Sequence, residues 1–81
     1  MMTLKMVVER YNQLAGEAQA PVALAEFGLS AEETTALFDE LNEDYHISRH
    51  LHFSKAEGKT YQISGEEVTH LKVDAGLARL L

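Results

Sequence analysis

The chain has 81 residues, 46% of them hydrophobic and 25% charged, the composition of an ordinary globular domain with room for a single core. It contains no cysteine, so neither disulfides nor a thiolate metal site can supplement that core, and no oxidising compartment is implied. The formal charge is −6 and uneven: residues 1–45 hold nine acids against Lys5 and Arg10, while residues 46–81 are close to balanced, so the first half repels polyanions.

A chain of this length buries only about 60% of its unfolded surface, so stability calls either for efficient packing or for a partner, a second copy included, that covers part of it. Met1 to Arg10 intersperses Lys5, Glu9 and Arg10 among its apolar residues. That is the pattern of neither a signal peptide nor a membrane span, and a cytoplasmic location without membrane contact is expected.

Leu4, Val7, Val8, Tyr11, Leu14, Ala15 and Ala18 recur at helical spacing and predict an amphipathic first helix, capped by Thr3 and finished before Pro21. Pro21 suits the first position of a new helix and Gly28 the left-handed position beyond its end, so a two-turn helix is expected over Pro21–Phe27. Ser30 followed by Glu33 has the spacing of a capping box and opens a third helix, with Thr34, Leu37, Phe38 and Leu41 on one stripe and an end at Asn42 to Asp44. The turn Gly28-Leu29-Ser30 between them has helix-turn-helix spacing.

From Ile47 the period becomes two: Ile47, Leu51 and Phe53 alternate with Ser48, His50, His52 and Ser54, with Arg49 interrupting, and predict a strand. Lys55 to Lys59 supplies a turn containing Gly58, and Thr60–Ile63 a return strand with Tyr61 and Ile63 inward, together a β-hairpin. Ser64 and Glu67 repeat the capping-box spacing and predict a last helix with Val68, Leu71, Ala75 and Ala78 on one stripe. Val73, Leu77, Leu80 and Leu81 add apolar surface to it, Gly76 is a point where it could break, and Asp74 could cap a second short helix.

The expected fold is therefore α+β and mostly helical, one domain of three helices, a β-hairpin and a C-terminal helix. That order resembles the winged helix-turn-helix superfamily, and Thr60-Tyr61-Gln62-Ile63-Ser64-Gly65 is similar to the strand-to-helix exit of MarR-like and PadR-like regulators. The resemblance implies a DNA-binding transcriptional regulator whose third helix enters the major groove and whose wing touches phosphates. The residues of that helix argue otherwise: with its apolar stripe inward, Glu32, Ala36, Asp39 and Glu43 point outward beside Glu40, and no Arg, Lys or Gln lies between Ser30 and Asp44.

Two readings follow. In the first the domain is a non-enzymatic interaction module that binds a protein partner through the acidic helix (Glu32, Asp39, Glu40, Glu43) or forms a homodimer through Val73, Leu77, Leu80 and Leu81, the alternative being that the first and last helices complete the monomer core around Phe38, Phe53 and Tyr61. In the second it contacts nucleic acid through a basic wing of Arg49, His50, His52, Lys55 and Lys59, which also reads as an edge hairpin protected by charge. His50 and His52 share a strand face and could ligate a metal only if His46 or His70 approached, so no metal or cofactor is expected. No nucleophile with a base and no paired carboxylates outside helix caps are apparent, and neither catalysis nor a small-molecule substrate is expected.

Overall fold

The computed structural model describes residues 2–81 as a small α+β domain, roughly half helical, with antiparallel sheets. The first helix, α1, runs Leu4–Ala15; the Thr3 side chain accepts from the Met6 amide at 3.3 Å and Gly16 ends it at φ +68. Val7, Val8 and Tyr11 face the core, whereas Leu14, expected on the same stripe, is exposed.

The two-turn helix expected over Pro21–Phe27 is only half present. Val22–Ala23 forms a short strand, β1, and Leu24–Phe27 a single 3-10 turn closed by Gly28 at φ +76. The cause is tertiary: Val22 and Ala23 pair with Leu71 and His70, and the Leu24 amide bonds the Thr69 carbonyl, so backbone that could have coiled is taken by a strand from the far end of the chain.

Helix α2, Ala31–Glu43, follows the expectation closely. The Ser30 hydroxyl accepts from the Glu33 amide at 3.1 Å while the Glu33 carboxylate accepts from the Ser30 amide at 3.0 Å. Thr34, Leu37 and Phe38 are buried, and the Thr34 hydroxyl is satisfied by the Ser30 carbonyl at 2.8 Å.

Beyond α2 three expectations fail. The strand does not begin at Ile47: Asp44 caps a one-turn helix, α3, Tyr45–Ser48, and Arg49 ends it in helical conformation, so strand β2 spans only Leu51–Ser54. β2 does not pair with Thr60–Ile63 either. Tyr61–Ile63 (β3) folds back on Glu66–Val68 (β4) through a turn at Ser64 and Gly65, and Ser64, expected to cap a helix, has φ +52 in that turn. Both central residues lie at positive φ, as tight hairpin turns prefer. The Ser64 amide donates to the Asp39 carboxylate at 2.7 Å and its hydroxyl accepts from the Asn42 amide at 3.1 Å, which holds an unfavourable backbone in position.

The C-terminal helix is also replaced. His70–Val73 is a strand, β5, between β1 and β2 in a three-stranded sheet, with Leu51 opposite Val73 and Phe53 opposite Leu71. Val68 and Leu71, expected on a helical stripe, are buried together with Val73, while Glu67 and Lys72 beside them turn outward along β4 and β5. After β5, Asp74 caps a 3-10 segment, Ala75–Leu80, by accepting from the Gly76 amide at 3.0 Å, the expected second cap.

The core lies between the sheet and the helices. Phe38 is fully buried and meets Phe27 and Phe53 edge to face, with ring centroids 6.1 and 5.6 Å away. Tyr11 is buried beside them, its hydroxyl donating to the Ala20 carbonyl at 2.9 Å.

Candidate functional site

α2 is the axis of the most developed surface. Its inner face is spent on the core, so the helical repeat turns Glu32, Glu33, Ala36, Glu40 and Glu43 to solvent, and all five are exposed. Asp39, grouped with these acids in the sequence, behaves differently: it is half-buried and bound to the Ser64 amide, so it positions the β3–β4 hairpin. Glu33 is held below the usual carboxylate range by the Ser30 amide and hydroxyl and stays ionised at neutral pH.

Two grooves flank this helix and share Ala36. On one side, between α1 and α2, a groove of about 600 Å3 is lined by Met2, Met6, Phe27, Leu29 and Leu37, with Arg10 and Glu33 at its polar edge. Its floor exists because the 3-10 turn carries Phe27 between the two helices. The Arg10 guanidinium donates to the Phe27 carbonyl at 3.3 Å and so is turned back onto the domain. On the other side a groove of about 490 Å3 lies between the start of α2 and β3, bordered by Glu32, Thr35, Thr60, Tyr61 and Gln62. Periodicity identified the helix faces; the grooves depend on how α1 and β3 approach α2, which no local pattern encodes.

The basic residues of the expected wing are scattered. Arg49 lies at the end of α3, apart from the hairpin. Lys55 is paired with Glu67 at 3.2 Å, and the Lys59 ammonium sits 5.3 Å from the Tyr61 ring centroid.

His50 and His52 converge on Asp74. His50 Nδ1 lies 2.7 Å from one carboxylate oxygen and His52 Nε2 2.9 Å from the other, while the Gly76 amide donates to the same carboxylate at 3.0 Å. The hydrogen bond from His52 is the main cause that lowers the Asp74 carboxyl below its usual range, with His50 and Gly76 acting in the same direction and partial burial opposing them. With Asp74 ionised, the ring nitrogens facing it, Nδ1 of His50 and Nε2 of His52, act as the donors. Among the described residues no cluster of His, Asp and Glu has the arrangement of a metal site.

Of the residues expected at a dimer interface, Val73 (3% exposed) and Leu77 (0%) belong to the core of a single chain and have no surface to offer a second copy. Leu80 and Leu81 are exposed. No helix among the described residues is long and apolar enough to cross a membrane. Comparison with protein-family profiles, curated proteins and solved structures found no match for this chain.

Proposed function

We propose that this is a winged-helix module that binds protein and has no catalytic role. The winged-helix reading is supported by the order of its parts: a 3-10 turn and α2 joined at Gly28–Ser30, a strand before them, and a three-stranded sheet ordered β1-β5-β2 whose β2–β5 connection forms the separate β3–β4 hairpin. Fold alone does not select a partner, and the charge on α2 does.

The carrying observation is that the solvent side of α2 bears Glu32, Glu33, Glu40 and Glu43 and no cation from Ala31 to Glu43. In a DNA groove these carboxylates would meet phosphates at close range. The hairpin is a weak counterweight, since Lys55 already has a carboxylate partner and its turn is fastened to α2 through Asp39 and Asn42. A proteinaceous partner suits the same surface, because acids around two grooves can be met by Lys and Arg while apolar side chains fill the space between.

The test is a fluorescence-anisotropy titration of the protein against mixed-sequence duplex DNA at about 50 mM salt, where even non-specific readers bind more tightly than about 10⁻⁴ M. No binding is the expected result. Binding that weakens steeply with added salt would replace the proposal with a regulator contacting phosphates through Arg49, Lys55 and Lys59.

A further inference from the structure

We infer that the groove between α1 and α2 is the docking site for a cationic amphipathic helix of a partner protein, an inference that rests on the protein-binding reading above. The lining is apolar and adaptable: Phe27, Leu29 and Leu37 are joined by the thioethers of Met6 on α1 and of Met2 just before it. Methionine fills irregular space in several conformations, which suits a surface that moulds to an incoming side chain. Met6 is 47% exposed there and so is open to an incoming side chain.

Charge selects the occupant. On the α2 side the groove is bordered by Glu33, and the helical repeat places exposed Glu40 two turns further along the same edge, beyond the lining itself. Arg10, the cation in the lining, is turned onto the Phe27 carbonyl. A second copy of this chain would bring a further formal charge of −6 against the same acids, so self-association through this face is opposed. A partner bearing Lys and Arg is attracted instead. The groove runs between two helices, and apolar side chains recurring every three to four residues would enter it while cations on the flank of the same helix reach Glu33 and Glu40.

The probe is a synthetic Leu/Lys peptide patterned as an amphipathic helix, titrated into the ¹⁵N-labelled protein and followed by amide chemical shifts. Two controls accompany it: a peptide of the same composition with its periodicity scrambled, and a Leu/Glu peptide with the periodicity kept. Shifts centred on Met6, Arg10, Leu29, Ala36 and Leu37 are expected, with the scrambled and Leu/Glu peptides each binding at least about tenfold more weakly. Met6→Glu should abolish the shifts; because Met6 is half exposed, the variant should keep the wild-type spectrum elsewhere. Glu40→Lys should weaken binding without changing the fold.

Equal binding of the scrambled peptide, shifts spread over every acidic residue, or indifference to Met6→Glu would each overturn the inference. So would concentration-dependent shifts of the same residues in the protein alone, which would make a second copy the occupant. If neither the peptide nor DNA binds, only the groove assignment falls; if DNA binds, the protein-binding reading falls with it.

Discussion

Asp74, a half-buried acid just past the end of β5, gathers three hydrogen-bond partners. Its carboxylate receives His50, His52 and the Gly76 amide and so ties the start of the last 3-10 segment to β2. A carboxyl whose folded pKa lies below its ordinary value of 3.8 contributes stability that is present above that value and lost as pH falls through the folded one. Asp74→Asn should therefore lower the melting temperature at neutral pH and flatten the decline of stability below about pH 4, measured by thermal melts across an acid series. Gly76 completes the arrangement by its lack of a side chain: a Cβ there would stand 2.7 Å from His50 Cε1 and 3.0 Å from its Nδ1. His50 is held on Asp74 and cannot yield, so Gly76→Ala should destabilise by about 1–3 kcal/mol in urea unfolding, as overpacking does elsewhere.

At the scale of elements, the β3–β4 hairpin depends on α2 as much as on its own pairing. Three residues per strand make a marginal hairpin in water. Tyr61, Ile63 and Val68 bury one face of it, and Asp39 and Asn42 hold its turn. Asp39→Ala should cost about 1 kcal/mol, since a charge-assisted bond to a partly solvated amide is lost. Hydrogen exchange should quicken in Tyr61–Val68 and leave α1 unchanged.

Elements that satisfy their own backbone were the ones local residues could announce. Ser30 and Glu33 are three positions apart in any conformation, so the α2 start, its buried stripe and its acidic outer face were all legible, as was the Asp74 cap. The same spacing misleads at Ser64 and Glu67, because Gly65 permits a reversal that a capping rule cannot weigh and because β5 has a place waiting between β1 and β2. Asp44 caps α3 through the same chemistry as Ser30, yet the alternation from Ile47 onward masks it. The candidate site divides likewise: its acids could be read from α2, whereas the grooves and the His50–Asp74–His52 contact arise only when distant segments meet.

For the molecule as a whole, stability responds to pH at both ends. On the acid side Asp74 and Glu33, each held below its ordinary range, lose their contributions as they protonate. On the alkaline side burial pushes the Tyr11 phenol above its ordinary value of 10.0. A raised phenol contributes stability that is complete below pH 10.0 and lost as pH rises through the folded value, because the unfolded chain ionises first. Tyr11→Phe should lose about 1 kcal/mol at neutral pH from the missing bond to Ala20 and show a shallower fall above pH 10, read from denaturant midpoints.

The position of β5 bears on how the domain is made. It comes last among the strands in the chain and stands in the middle of its sheet, so both edge strands depend on a segment the ribosome delivers after them. A nascent chain halted before His70 holds α1 and α2 but offers β1 and β2 nothing to pair with, leaving Val22, Leu51 and Phe53 uncovered. Sheet closure must follow synthesis of the final strand, and folding is committed late, by contacts between residues far apart along the chain.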